Sequence, residues 1–514
     1  MIKISEFAKG IEPLQKIGST KEKTAFNWAH PYSKYWLAAA AALVALIYFL
    51  LHTKYIIFDG DDPWSLSQAY NNIQLGLNKN TLFTTGNSID DTLIFHKTYH
   101  YFEGFLLNII GWTKGNAHLI STAFILLCSI LWFKILRHLR FSFDLSLVLA
   151  FSMMLFPAFF GAANITRPDA MAFFFATSTF LLFLKDRYIL AGIALLVGFE
   201  IHVMGVMGAF YILAYVIYNR RAYLRDYSGF FRMAGLFSLG TLIGLGYYMV
   251  LHQDVLSMEK FSATLMSRRS MGFEFKNYIL TYFVQPLWYQ HVWEFLLIVL
   301  SLVFYFKNRL YKQDSFVWIL LLVLFLSTFV TGRPNRNYIL YIYPAFLLLM
   351  FYTVEKMKWL RPFSMALAGI FILHYGTIYY QHHDYDFQEL ISETRESISD
   401  KPELPIVGMP DNWYAAMDRE LHLIYNSLDN IPELGLQELY LIRNDYIHSE
   451  SLSLRLESKL MDFGIVKDPL LAKRRRHYYD LIQYFEDHYE YKLVKRIPAY
   501  GGDFVEVYHC VAKT

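Results

Sequence analysis

The residues best suited to chemistry in this chain come in one short run. Phe58-Asp59-Gly60-Asp61-Asp62-Pro63-Trp64 sets three carboxylates within four positions. They follow directly on about twenty apolar residues long enough to cross a bilayer. Charge so close to the hydrocarbon boundary is costly unless it has a partner or a task. A lone Asp there could simply cap the next helix, with Pro63 in its first turn; three argue for more. Further polar groups recur at the ends of later apolar runs: Arg167-Pro-Asp169, Glu200 with His202, and Arg333 with Arg336. His96, Lys97, His100 and Glu103 add to them from the stretch after the first run. A carboxylate can take the proton of an acceptor hydroxyl or amine, or hold that nucleophile in line. Arg and Lys can hold a phosphate leaving group through charge-assisted, often bidentate hydrogen bonds. Together at a membrane surface these groups suit attack on a lipid-linked sugar phosphate. Attack opposite the departing phosphate inverts the anomeric carbon.

The elements that must position these residues are membrane helices. Of 514 residues, 55% are hydrophobic and 18% aromatic, and only 18% are charged, against about a quarter in soluble proteins. The charges are clumped between long apolar runs, the pattern of a polytopic α-helical membrane protein. A net charge of +3, with no basic stripe or zinc-finger spacing, gives no reason to expect nucleic acid. Cys128 lies in an apolar span and Cys510 near the C-terminus; they form no ligand spacing and pairing them would bridge compartments, so neither disulfide nor metal is expected from them. No cleavable signal peptide is expected, because a long Lys-bearing segment precedes the first apolar run.

The lysines between Lys3 and Lys34 put the N-terminal segment in the cytoplasm by the positive-inside rule. The first span, about Trp36 to Phe58, then delivers the Asp run to the far side. Residues 59–115 form an outer loop in which Pro63–Leu77 and Tyr99–Trp112 lie against the membrane surface. Later spans alternate with charge at about 117–136, 143–162, 169–184, 188–202, 204–218, 233–251, 292–306, 316–331, 338–354 and 363–380. That makes about eleven spans, with every dense Lys/Arg clump inside. A second outer loop covers 252–290. Residues 1–381 thus read as a membrane domain, and 382–514 as a small extracytoplasmic α/β domain. Its expected strands are Leu404–Val407, Leu439–Ile442 and the hairpin Tyr491–Arg496 with Phe504–Cys510; helices are expected at 450–461 and 477–490. Lys473–Arg476 reads as a solvated face.

Each outer group also has a plainer reading. Arg167 and Asp169 can simply pair with each other. His202 can be a satisfied buried histidine, and Arg333 and Arg336 interfacial anchors. Arginines on the outer face nevertheless run against the positive-inside bias.

In order and sidedness these stretches resemble the GT-C superfamily of polytopic glycosyltransferases, which use polyprenyl-phosphate-linked sugars. Protein O-mannosyltransferases and the bacterial transferases that add aminoarabinose to lipid A are members. Asp61-Asp62-Pro63-Trp64, followed by Ala69-Tyr70 and Gly76, is similar to the acidic pair of the first outer loop, with Asp in place of the more usual Glu. Arg167-Pro-Asp169 is similar to the second acidic position, and Gly192–His202 to the short helix leading to an outer Lys or His. Arg333 to Pro344 is similar to the Arg-Tyr-Leu-Leu-Pro element. The tail, with Asp411-Asn412-Trp413-Tyr414 and its closing hairpin, is similar to the family's extracytoplasmic domains. The resemblance implies Asp61 as the catalytic carboxylate, Asp62 as its neighbour with Asp59 as competitor, and Asp169 as the second acid. It implies Arg333 or Arg336 on the donor phosphate. His96 and Lys97 stand where many members carry His-Pro-Pro or Lys-Pro-Pro; the prolines are absent here. His202 and Arg167 are further site candidates. Branches of the family differ over a divalent metal, so the metal stays open. The implied partners are a polyprenyl-phosphate-linked sugar, membrane lipid, and a glycolipid, polysaccharide or protein acceptor, in a cell envelope such as the bacterial inner membrane and periplasm.

Other classes fit parts of the pattern. A transporter or flippase of lipid-linked anions would place charge near the bilayer midplane and show internal repeats. A membrane O-acyltransferase would centre on a histidine deep in a span, for which His374 is the isolated candidate. A glycan polymerase or ligase would use Arg and His in a large late loop.

Overall fold

The computed structural model describes residues 31–51, 61–76, 95–253, 292–330, 336–383, 386–417, 419, 421–423, 434–444, 480–499 and 504–513. Its helices in chain order are α1 (Pro31–Leu51), α2 (Asp61–Tyr70), α3 (Lys97–Ile110), α4 (Lys114–His138), α5 (Phe143–Leu155), α6 (Pro157–Ala163), α7 (Pro168–Leu184), α8 (Tyr188–Ile201), α9 (Met207–Tyr218), α10 (Arg220–Tyr223) and α11 (Tyr227–Leu251). After them come α12 (Val292–Lys307), α13 (Phe316–Val330), α14 (Tyr343–Lys356), α15 (Leu360–His382) and α16 (Phe387–Ser397). Among the described residues, Lys114–His138, Tyr227–Leu251 and Leu360–Tyr380 are long and apolar enough to cross a membrane. The α5–α6 pair makes a fourth if its 56° bend lies within one span. Pro157 sits at the break, where it starts α6 but could not continue α5 without losing a backbone hydrogen bond.

The helices pack as neighbours in the order α11–α8–α7–α4–α5, with α13 against α9. The α8–α11 contact is close because Gly192 and Gly240 face the partner backbone; a Cβ on either would collide with the carbonyl of Phe237 or of Ile189. Small residues that let backbones approach are what holds helices together where the surroundings are apolar.

Two short helices follow, the first of which begins with Asp61 and Asp62. Helix α2 passes through a π turn, Asn71–Leu75, and stops at Gly76, whose φ of 63° is the left-handed conformation favoured at a helix C-terminus. Helix α3 buries its polar side, including Tyr99, His100 and Glu103, and exposes Phe102, Phe105 and Ile109. Such a face suits the bilayer surface. The pair is tight at Gly104, where a Cβ would lie 2.6 Å from Ile73 and 2.9 Å from the Ala69 carbonyl.

The C-terminal sheet has five strands: β1 (Ile406–Gly408), β2 (Leu421–Leu423), β3 (Glu438–Asn444), β4 (Tyr489–Pro498) and β5 (Phe504–Ala512), in the order β2-β1-β3-β5-β4. β1 runs parallel to β2 and β3, and β5 runs antiparallel to β3 and β4. The expected strands and closing hairpin are therefore present, with the hairpin shifted in register between Leu493 and Lys495. Alternation along β3 divides its side chains between two cores. Leu439 and Leu441 pack with Leu481 and Phe485 of the helix at 480–488. Tyr440 and Ile442 join an apolar cluster that continues through Phe387 and Trp413 into the helical part. The expected loop at 252–290 (beyond Gln253), the helix at 450–461 and the run Lys473–Arg476 lie outside the described residues.

Candidate active site

The side chains converge where α2 meets the start of α4, and Asp62 is at the centre. It is fully buried. Its Oδ2 accepts from His118 Nε2 at 3.3 Å and from the Tyr414 hydroxyl at 3.2 Å, and the Lys114 ammonium lies 3.4 Å away. Its Oδ1 accepts from the Thr166 backbone N–H. Helical spacing explains two of these partners, because Lys114 and His118 are four apart and share a face of α4. A lysine in the first turn of a helix opposes the helix dipole, and the Asp62 carboxylate compensates it there. Burial pushes the Asp62 carboxyl up, but Lys114, His118 and the hydrogen bonds outweigh burial and hold it well below the usual carboxylate range.

The Thr166 contact carries Asp62 to the loop before α7. Asp169, in the first turn of α7, pairs with Arg167 at 2.8 Å, as the plainer reading of those two residues has it. Its Oδ1 is buried without a hydrogen bond. The Tyr341 hydroxyl donates to the Asp169 carbonyl at 3.2 Å, and the Tyr211 hydroxyl to the Tyr341 carbonyl at 2.5 Å. The turn at Arg336–Tyr341 is thereby tied to the acidic loop.

A second group of side chains gathers at the ends of α8 and α11. His96 holds a φ of 73°, rare for a residue other than glycine. Its backbone N–H donates to the Glu200 carbonyl at 2.8 Å, and its ring Nδ1 donates to the Ile201 carbonyl. The ring stacks on His202, with centroids 5.5 Å apart. His202 Nδ1 accepts from the Met204 N–H at 3.2 Å, which leaves the proton on Nε2, 3.4 Å from the Tyr338 hydroxyl. Glu200 Oε1 meets His252 Nε2 at 3.0 Å with both side chains fully buried. Lys97 Nζ donates to the Leu251 carbonyl at 3.2 Å, capping the C-terminal end of α11. Trp64 of α2 contacts His96 and His100 edge-on and joins the two groups.

No family model matches the chain, and no curated protein sequence does. Solved structures share its fold. ArnT from Cupriavidus metallidurans bound to undecaprenyl phosphate superposes with a TM-score of 0.55 at 12% identity, over 92% of this chain and 98% of that one. The oligosaccharyltransferase of Archaeoglobus fulgidus in the apo form gives 0.51 at 13% identity, over 83% of this chain and 71% of that one. The fold is of the GT-C type.

Within this GT-C fold, Asp62, Arg167 and Asp169 belong to the first group and His96, Lys97 and His202 to the second, with Trp64 between them. Asp61 opens α2, but its side chain, like that of Arg336, lies outside the described residues, as do Asp59 and Arg333 altogether. Among the described residues no three His, Cys, Asp or Glu side chains group as a metal site. Sequence reasoning missed Lys114 and His118 as partners of Asp62, and His252 as the partner of Glu200. The first two had a visible signal, a Lys and a His four apart at the start of a span. His252 had none.

Glu103 is a further buried carboxyl in this region. It accepts from the Tyr99 hydroxyl at 2.8 Å. Burial, assisted by the Asp62 charge and only partly offset by the Tyr99 hydrogen bond, pushes it up to about 8. A native carboxyl that keeps its proton where the unfolded chain has lost it makes stability fall as pH rises from the usual carboxylate range to about 8, by about 1.4 kcal/mol per unit. Glu103→Gln keeps the acceptor for Tyr99 and removes that slope. Thermal melts should show the variant gaining on wild type near pH 9 and matching it near pH 4.

Proposed function

We propose that this protein is an integral membrane glycosyltransferase that moves a sugar from a polyprenyl-phosphate donor to an acceptor on the extracytoplasmic face, with inversion. The observation that carries this reading is the meeting of the acidic helix α2 with the Arg167–Asp169 loop through Asp62 and Thr166, within a GT-C fold. Asp61 takes the proton of the acceptor hydroxyl or amine as that atom bonds to the anomeric carbon. The bond from the anomeric carbon to the phosphate oxygen breaks, and the polyprenyl phosphate leaves with that electron pair. Arg333 and Arg336 hold the departing phosphate, with His96 and Lys97 at its flank. Asp169 is the second acid, kept in place by Arg167. His202 lines the donor side. That one of the superposed proteins is bound to undecaprenyl phosphate supports a lipid-phosphate donor.

In this reading residues 1–381 form the membrane domain, with about eleven spans and a cytoplasmic N-terminus, and 382–514 an extracytoplasmic domain. The acceptor is a glycolipid, polysaccharide or protein. Purified protein in lipid, given a panel of radiolabelled polyprenyl-phosphate sugars and a crude membrane acceptor fraction, should transfer label from at least one donor with inverted anomeric configuration. Binding of the lipid phosphate without transfer from any donor would overturn the transferase reading in favour of transport.

A further inference from the structure

We infer that the C-terminal part of the chain latches the acidic helix, and that Tyr414 is a positioning residue for it. The inference rests on the reading of α2 as the carrier of the catalytic carboxylate. The turn Pro410–Tyr414 touches α2 at both ends with consecutive residues. Tyr414 donates to Asp62, the second residue of α2. Trp413 packs edge-on against Tyr70, its last residue, at 6.0 Å, and Tyr70 packs in turn on Trp112 at 5.1 Å.

The turn is itself fixed from behind. Arg395 of α16 donates to the Tyr414 carbonyl at 2.7 Å, and Phe387 of the same helix meets the Tyr414 ring edge-on at 5.6 Å. The Lys114 ammonium lies 4.4 Å over the Phe387 ring and 4.0 Å from Asp411. One lysine thus faces Asp62 on the helical side and Asp411 and Phe387 on the C-terminal side. Tyr414 and Asp62 are both buried, so this hydroxyl–carboxylate bond is sheltered from competing water and is strengthened accordingly. A helix pinned at its second and last residues cannot slide along or turn about its axis. The backbone place of Asp61, the residue beside Asp62, is thereby set by residues of the C-terminal part.

Tyr414→Phe removes the hydroxyl and keeps the ring packing against Phe387 and Trp413, and the exchange of α8 amides reports any general loss of stability. In the transfer assay the variant should lose kcat on the order of 10²-fold while its donor KM stays at the wild-type value. Hydrogen exchange on the full chain in lipid tests the latch without any reaction. Amides of α2 should exchange faster in Tyr414→Phe while those of α8 do not, and the change should vanish when Tyr414→Phe is made in an Asp62→Asn background. Unchanged α2 exchange overturns the latch, as does an equal acceleration in the Asp62→Asn background. A latch seen by exchange in a wild-type protein that transfers from no donor would leave the latch standing and remove the transferase reading. Faster α2 exchange with undiminished kcat would remove the positioning role.

Discussion

Asp61→Asn is expected to slow sugar transfer by roughly 10²–10⁴-fold, the contribution of one well-placed general base. Three circumstances single this residue out among the candidate carboxylates. Asp62 is wholly committed to Lys114, His118, Tyr414 and the Thr166 N–H. A carboxylate so enclosed, held in its ionised form by a cation, is a poor acceptor for a substrate proton. Asp169 already carries Arg167. Asp61 opens the helix that Asp62 anchors, next to a neighbour that cannot move. Single-turnover rates with a saturating labelled donor are the measurement, because they separate the chemical step from product release. A variant within tenfold of wild type would move the base to Asp59, Asp62 or Asp169.

Lys114→Met is expected to destabilise the protein by about 3–5 kcal/mol, the usual cost of removing one partner from a buried ion pair. The variant would leave the Asp62 carboxylate fully buried with only His118, Tyr414 and the Thr166 N–H as partners. The pH dependence of the loss follows from the direction of the Asp62 shift. In wild type burial is outweighed by Lys114, His118 and the hydrogen bonds, so the carboxyl sits below its ordinary value. Its contribution is then full above the ordinary carboxylate range and disappears as pH falls through and below it. Without Lys114, burial is less strongly opposed and the carboxyl takes up a proton at higher pH than in wild type. The gap between variant and wild type should therefore be wide at neutral pH and narrow in acid, as thermal melts in one lipid or detergent would record. Replacing both partners, as Lys114→Met with Asp62→Leu, should recover most of the stability and none of the transfer. Equal destabilisation at all pH values would mean that Lys114 acts by packing over Phe387 rather than by charge.

Much of the helical frame was legible in the sequence because its signals are local. Apolar runs bounded by Lys and Arg gave α7, α8, α9 and α12 to within a few residues. The closing hairpin was legible for the same reason, since β4 and β5 are neighbours in sequence. Even the break between α5 and α6 had its marker in Pro157, although a single span over 143–162 was expected. The count of about eleven spans goes further than the three or four described helices long enough to cross on their own.

The contacts around the candidate residues were legible only in part. Local chemistry picked out Asp62, Asp169 and His202, yet it could not say which carboxylate is enclosed. That depends on partners supplied by other segments: His118 lies 56 positions from Asp62, and Tyr414 lies 352. No spacing rule reaches across such intervals. The stacking of His96 on His202 likewise arises from the left-handed backbone at His96. A non-glycine residue gives no advance notice of that conformation.

The 352 positions between Asp62 and Tyr414 also measure time. At 5–20 residues per second, roughly 20–70 s of synthesis separate α2 from the turn that holds it. Through that interval a nascent chain possesses Asp62, and soon Lys114 and His118, without the hydroxyl that completes their set. The helix bearing the acids is therefore among the first parts to be made and among the last to be finished. A ribosome-bound chain that has completed every helix before the C-terminal part still lacks one partner of Asp62, and on the proposed reading its acidic helix is held in place only after the turn at Pro410–Tyr414 has folded back onto it.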